Sequence, residues 1–202
     1  MKYRIVKSRG VTMVEALVTA VVLGLIGLMV LMFFITTSSV VGKVQAQGDL
    51  LSDLQTVGSN WSKDVMSSSE LGISSNAQSF ACISPYSESA APTTSGIFSN
   101  LVWQSYRLYY LDSSRTLSTR ILPLAPTTTV AQTLERYDLG FGLQPLSYYC
   151  NGGRSLAKDV DLMVVSQQGP LFTLTLQATR KRYGSNQPEQ VKIDFAAAPR
   201  NR

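Results

Sequence analysis

An uncharged apolar run of 20 residues, from position 16 to position 35, constrains this 202-residue chain more than any other feature. The run contains no charged residue and no proline, so an α-helix can pass through it without interruption. At a rise of about 1.5 Å per residue it spans about 30 Å, the thickness of the hydrocarbon core of a bilayer. The sequence therefore predicts one transmembrane helix in this region.

The residues before the run predict its orientation. The leader, residues 1–10, holds four basic residues and no acidic one; the basic residues are Lys2, Arg4, Lys7 and Arg9. Because basic flanks stay on the cytoplasmic side of a membrane, we expect the leader in the cytoplasm and the C-terminus outside. Glu15 lies at the edge of the run, where a carboxylate is costly and commonly functional. The helix dipole also favours an acid in a first turn, which is the simpler explanation.

The order of basic leader, Gly10, Val11, Glu15 and apolar run resembles the N-terminal signature of type IV prepilins and pseudopilins. In that family a membrane peptidase cleaves after the glycine and methylates the new N-terminus, and a glutamate stands at the fifth mature position. The resemblance implies cleavage between Gly10 and Val11, N-methylation of Val11 and a role for Glu15 in subunit assembly. This sequence departs from the family pattern at Val11, where phenylalanine is usual, and at Met13-Val14, where Leu-Ile is usual.

Small side chains recur along one stripe of the predicted helix. They are Ala16, Ala20, Gly24 and Gly27. Such a stripe lets a second helix approach closely, although small residues are common in membrane helices generally. The prepilin resemblance implies that neighbouring subunits pack here in the filament core. It also implies that residues 24–27 loosen on assembly, since glycine weakens a helix.

Helical spacing continues beyond the apolar run. One face carries Val40, Val44, Leu51, Leu54, Trp61 and Val65. We expect one helix over residues 12–67, composed of a transmembrane and filament-core segment at 11–35 and an amphipathic continuation at 36–67. A β-rich extracytoplasmic head at 68–202 completes the chain. The predicted class is α+β and pilin-like, with a long N-terminal transmembrane helix packed on an antiparallel β-sheet.

In the second half of the chain the apolar pattern changes to a period of two. Residues 101–111 and 116–122, joined by the turn-forming residues 112–115, predict a β-hairpin. An apolar island at 80–83 predicts a further strand, whereas residues 124–149 predict irregular structure. Three more strands are expected, at 159–166, 171–182 and 190–196.

The end of the chain adds a second, shorter resemblance. A terminal strand through Phe195 followed by Arg200-Asn201 resembles the ending of J-type pseudopilins and W-type minor pilins. The resemblance covers a handful of residues and favours a minor subunit over a major one. The absence of proline from the apolar run favours the same choice, because major pilins commonly carry one there.

Composition excludes several classes of function. The chain has no histidine, which removes Ser-His-Asp and Cys-His nucleophiles and imidazole metal sites. The prepilin resemblance implies a non-enzymatic subunit, for which we expect no cofactor and no metal. The chain holds 18 basic and 13 acidic residues, and without the four leader cations 14 basic residues remain. The basic balance is thus a property of the leader and does not indicate nucleic-acid binding.

Two cysteines, Cys82 and Cys150, lie in the part predicted to be outside the cytoplasm. An even count in an oxidising compartment predicts one disulfide, which would contribute about 4 kcal/mol in the loop-entropy description. Two unpaired buried thiols are the alternative.

Two further groups of charged side chains are candidate binding sites. Asp159 and Asp161, together with Asp138 or Glu135, offer oxygen ligands for calcium, but a solvated strand face explains them more simply. A basic C-terminal group with an adjacent tyrosine offers contacts to DNA backbone, but exposed charges at strand ends are the commoner explanation. This group consists of Arg180, Lys181, Arg182, Tyr183, Lys192, Arg200 and Arg202.

Together the resemblance implies a structural subunit, a minor pilin or pseudopilin, of a type IV pilus, type II secretion or DNA-uptake filament. Its expected location is the bacterial inner membrane and then a periplasmic or cell-surface filament. Its expected partners are a prepilin peptidase and methylase, other pilin subunits, the inner-membrane assembly machinery and the lipid bilayer. Two alternatives remain: a signal-anchored envelope domain in which Gly10 is not cleaved, and a secreted domain cleaved near residues 44–46. The apolar run exceeds the usual signal-peptide core of about 7–15 residues, which argues against secretion.

Overall fold

One helix, α1, spans Met13–Ser67 in the computed structural model, which describes residues 12–87, 92–95, 100–181 and 188–201. The chain forms two units that divide between Gln45 and Ala46. In the first unit the large apolar side chains of α1 are all exposed. The second unit contains the rest of α1 and all the described strands. The α+β class, with a long apolar N-terminal helix and antiparallel strands, is confirmed.

The strands form two antiparallel sheets where the sequence analysis expected one. The six-stranded sheet has the order β1-β2-β4-β5-β6, with β3 paired to β4. Its strands are β1 Ile73–Ser75, β2 Ser79–Ser84, β3 Thr93–Ser95, β4 Asn100–Leu111, β5 Leu117–Thr128 and β6 Arg154–Ala157. The three-stranded sheet has the order β7-β8-β9. Its strands are β7 Val160–Gln168, β8 Leu171–Lys181 and β9 Pro188–Ala197.

The hairpin predicted from alternation is formed by β4 and β5, with Tyr109 paired to Thr119. Its turn is closed by Asp112 Oδ1, which accepts hydrogen bonds from the backbone N–H groups of Ser114 and Thr116 at 2.8 and 2.9 Å. Strand β5 continues to Thr128, six residues past its predicted end and through two prolines. Strand β6 pairs with β5 only at residues 117–119. Beyond residue 119 one edge of β5 has no described partner strand. The two prolines lack an N–H group, and at this unpaired edge no hydrogen bond between strands is lost.

Two cores lie on opposite faces of the six-stranded sheet. The helix-side core joins α1 to both sheets and contains Leu50, Leu54, Val57, Trp61 and Val65 of the helix. The loop-side core contains Ala81 and Ile83 of β2 and is covered by Leu134, Leu146 and Tyr149. The buried stripe of α1 therefore differs from the predicted one, since Leu51 is 40% exposed and Leu50 is buried in its place. Val40 and Val44 belong to the first unit and are exposed.

The last residues of the chain attach to the end of α1. Arg200 N donates to Met66 O at 3.3 Å, and Asn201 Nδ2 donates to Ser67 O at 2.8 Å. These bonds satisfy carbonyl groups that the C-terminus of a helix leaves without intrahelical partners. Upstream, β9 approaches α1 so closely that the Phe195 ring lies over Gly58, where an added Cβ would overlap it. The terminal strand and the helix thus depend on each other.

Candidate functional site

The first turn of α1 is closed by a reciprocal pair of hydrogen bonds between Thr12 and Glu15. Glu15 N donates to Thr12 Oγ1 at 3.3 Å, and Thr12 N donates to Glu15 Oε2 at 2.9 Å. The Thr12 hydroxyl also donates to Glu15 Oε2, at 3.1 Å. This is a capping box, which satisfies donors that a helix N-terminus leaves unpaired. The sequence analysis missed this role, although a threonine three residues before a glutamate ahead of an apolar run signals it.

The other residues of the predicted assembly segment are placed as follows. Gly10 and Val11, the predicted cleavage and methylation residues, lie outside the described residues, directly before the capping box. The small-residue stripe is exposed along its whole length; its members are Ala16, Ala20, Gly24 and Gly27. A Cβ added at either glycine would meet no atom within 4 Å. The stripe is therefore a free surface of the single chain.

Helix α1 is the one helix among the described residues that is long and apolar enough to cross a membrane. Its hydroxyl groups do not interrupt it, because Thr19 Oγ1 donates to Glu15 O at 2.7 Å and Thr36 Oγ1 donates to Met32 O at 2.9 Å. Internal satisfaction of polar groups is what a helix in lipid requires.

The two cysteines are not brought together, and both thiols are free. Cys82 is buried in the helix-side core, whereas Cys150 packs against the loop-side core and contacts Leu146 O at 3.4 Å. Because side chains alternate across a strand, Cys82 points to the face of β2 opposite Cys150. The structure thus has two separate thiols in place of the predicted disulfide. Burial raises the pKa of both thiols, which disfavours their thiolate forms.

Three of the candidate calcium ligands, Asp159, Asp161 and Asp138, have other partners. Arg180 Nε contacts Asp159 Oδ2 at 2.7 Å, and Arg115 Nη2 contacts Asp161 Oδ1 at 2.6 Å. Asp138 Oδ1 accepts hydrogen bonds from two backbone N–H groups of its own turn, at 2.7 and 2.8 Å. Within the described ranges no group of three or more acidic or cysteine side chains is arranged to hold a metal ion. These carboxylates therefore stabilise the junction between the two sheets and a local turn.

The basic C-terminal group is not assembled into one surface feature. Arg180 is engaged by Asp159 and lies 3.9 Å from Asp53, and Arg200 belongs to the contact with the end of α1. Lys181 and Lys192 are exposed. The remaining members, Arg182, Tyr183 and Arg202, lie outside the described residues.

One partly buried charged group was not identified from the sequence. Asp64, on α1, accepts a hydrogen bond at 2.6 Å from the hydroxyl of Tyr109 on β4. Burial raises the pKa of Asp64. The hydrogen bond from Tyr109 and the charges of Arg107 and Lys63 lower this pKa, but their effect is smaller, so the net shift is upward. Burial, with the neighbouring Asp64, also raises the pKa of Tyr109 well above its ordinary range. The pair therefore places an acidic side chain at a helix–sheet contact where its charged form is disfavoured.

We expect Asp64→Asn to increase the free energy of unfolding at neutral pH. Because the pKa is higher in the folded chain than in the unfolded chain, protonation of Asp64 stabilises the fold. That stabilisation is complete below the ordinary pKa of aspartate and is lost as the pH rises through the raised pKa. Asparagine resembles the protonated acid and can still accept from Tyr109. Urea unfolding of both chains across this pH window should give equal free energies at the acidic end and a more stable variant above it; a less stable variant at neutral pH would contradict the assignment.

Comparison with known proteins adds no relative, because no family model, no curated protein and no solved structure matches the chain. The described residues define an α+β protein with a single N-terminal helix that can cross a membrane, followed by two antiparallel sheets.

Proposed function

We propose that this chain is a structural subunit, a minor pilin or pseudopilin, of a type IV filament of the pilus, secretion or DNA-uptake kind. The observation that carries the proposal is the placement of Glu15. Its carboxylate lies in the first turn of α1, three residues after the helix cap at Thr12 and four after the predicted cleavage residue Val11. An exposed apolar helix of membrane-spanning length follows directly.

In the proposed mechanism a peptidase removes the leader after Gly10 and frees the amine of Val11. The carboxylate of Glu15 is held by exposed hydrogen bonds to Thr12, which another partner can replace at low cost. Close to lipid the favoured partner is a cation, because an unpaired carboxylate there is expensive. The Val11 amine of a neighbouring subunit supplies that cation, so that the pair selects incoming subunits and sets their register.

Packing of the helix then holds the assembled filament. The large apolar side chains of the first unit are exposed in the described part of the chain, and the small-residue stripe offers a surface for close helix contact. The second unit has its own cores and needs no neighbour to bury them. In this proposal the first unit therefore assembles and the second unit is carried on the filament surface.

The mature N-terminus, measured by mass spectrometry of the protein from its native membrane, tests the proposal. We expect a chain that begins at N-methylated Val11. An intact Met1 would support an anchored envelope domain, and a start near Gln47 would support a secreted domain. Either result would contradict assembly as a processed pilin-like subunit.

A further inference from the structure

A cleft of about 700 Å³ lies in the second unit, between α1 and the helix-facing side of the six-stranded sheet. Lys63 and Asp64 line it from the helix, Arg107 and Tyr109 from β4, and Arg154 from β6. Strand pairing places these residues together, because Tyr109 is opposite Thr119 and Thr119 is opposite Arg154. The cleft is separate from the helix segment on which the proposed assembly function depends.

The cleft carries a surplus of positive charge. Four cationic residues line the cleft with a single carboxylate, that of Asp64; the cations are Lys63, Arg107, Arg120 and Arg154. Among the described residues none of these four cations forms an ion pair, and Arg120 donates to the backbone carbonyl groups of Tyr149 and Asn151. Elsewhere in the same unit Arg115 and Arg180 each contact a carboxylate. The cleft therefore carries more positive than negative charge.

Arg107 gives a second, independent indication that a ligand belongs here. Its Nε atom is buried and, within the described part of the chain, has no hydrogen-bond partner. A buried donor of a charged group that lacks an acceptor is unfavourable, so a fold normally avoids one. The hydroxyl of Tyr109, which donates to Asp64, does not form a hydrogen bond with this Nε atom. Arg107 therefore has unused hydrogen-bonding capacity beside the cleft, which an acceptor group of a ligand can use.

The shape of the cleft indicates the size of the ligand. Its volume lies within the range of small-molecule sites, about 300–1,000 Å³. Surfaces that bind nucleic acid present their cations along a stripe or an open face. Here the cations come from a helix and three strands and line one concave site. Arginine in particular matches planar or tetrahedral oxyanions through paired N–H donors.

We propose that this cleft binds a small ligand with two or more oxyanion groups, either a phosphate ester or a polycarboxylate. Arg107 holds one oxyanion by paired hydrogen bonds at the base of the cleft, and Lys63 and Arg154 hold a second near its opening. Asp64 repels the oxyanions and accepts from a ligand hydroxyl, which fixes the orientation of the ligand. The inference does not depend on the filament proposal.

Calorimetric titration of the full chain in detergent micelles tests the site, with inorganic pyrophosphate and citrate as probes in separate titrations. Arg154→Gln changes an exposed residue of the cleft and should weaken binding by about tenfold, the loss expected for one charge-assisted hydrogen bond. The matched control is Lys192→Gln, which removes the same charge from an exposed position of β9 outside the cleft and should leave binding unchanged. Stronger binding of pyrophosphate would assign a phosphate ester, and stronger binding of citrate a polycarboxylate.

A second variant keeps the test independent of folding defects. Asp64→Asn removes the repulsive carboxylate and should strengthen binding, an effect that a damaged fold does not produce. Arg107→Gln should abolish binding, with near-ultraviolet circular dichroism to verify that it is folded. Absence of binding by both probes at millimolar concentration would overturn the proposal. Equal weakening by Arg154→Gln and Lys192→Gln would also overturn it, since that result indicates non-specific attraction to a basic surface.

Discussion

Glu15→Gln is expected to leave the chain in the membrane and to abolish its incorporation into filaments. The apolar run is unchanged, so insertion should proceed as before. Glutamine keeps the capping box, because an amide oxygen accepts from Thr12 N as a carboxylate does. What the variant loses is the charge that pairs with the Val11 amine of a neighbour. Removing one partner of a buried ion pair costs about 3–5 kcal/mol, which corresponds to at least about a hundredfold loss of incorporated subunit.

Thr12→Ala is the matched control, because it removes the cap and retains the carboxylate. It takes away the hydroxyl that bonds Glu15, at a cost of about 1 kcal/mol to the helix terminus. Sheared filaments and membrane fractions, quantified by immunoblot, should show the threonine variant in both fractions and the glutamine variant in membranes alone. The reverse pattern would assign Glu15 to helix capping and contradict the intersubunit pair.

The helix and the main strands could be predicted because local sequence determines them. An apolar run without charge or proline has few alternatives to a helix, and α1 at Met13–Ser67 differs from the expected range by one residue. The β4–β5 hairpin follows from alternating side chains on both sides of an Asp-Ser-Ser turn. Strands β7, β8 and β9 start and end within two residues of their predicted positions, since turns with glycine or proline separate them.

The sequence could not predict which core each strand residue faces, because tertiary packing determines this. All six residues of β2, Ser79–Ser84, are buried, so no alternation of polar and apolar residues reveals which face Cys82 occupies. The disulfide prediction was made from cysteine count and compartment alone, and neither contains that information. The division into two sheets is likewise a matter of which strands pair, and an antiparallel pattern does not specify it.

The cleft could not be predicted from the sequence for a similar reason. Lys63, Arg107 and Arg154 are far apart in the chain and belong to no motif. They meet because α1 crosses the face of β4 and because β6 pairs with the start of β5. The capping box, by contrast, is a local pattern of four residues and could have been read from the sequence.

Trp61→Ala is expected to cost the second unit about 3–5 kcal/mol of its free energy of unfolding. Trp61 is fully buried in the helix-side core, with its ring centroid 5.6 Å from that of Phe80. Truncation leaves a cavity at the contact of α1 with the sheet, and losses of this size are typical of buried tryptophan. Because domains are commonly stable by about 5–15 kcal/mol, the variant should unfold at much lower urea concentration. Fluorescence of the remaining Trp103 can follow the transition in micelles.

Trp61→Phe separates the packing of the ring from its polar atom. Phenylalanine retains most of the apolar contact with Phe80, and it removes Nε1, which is buried and has no hydrogen-bond partner in the described part of the chain. Loss of an unsatisfied donor offsets part of the lost volume, so the expected cost is below about 1.5 kcal/mol. A phenylalanine variant as unstable as the alanine variant would mean that the indole N–H is bonded, and packing would then not be the main contribution of Trp61. A large difference between the two variants would assign the stability of this helix–sheet contact to the buried ring.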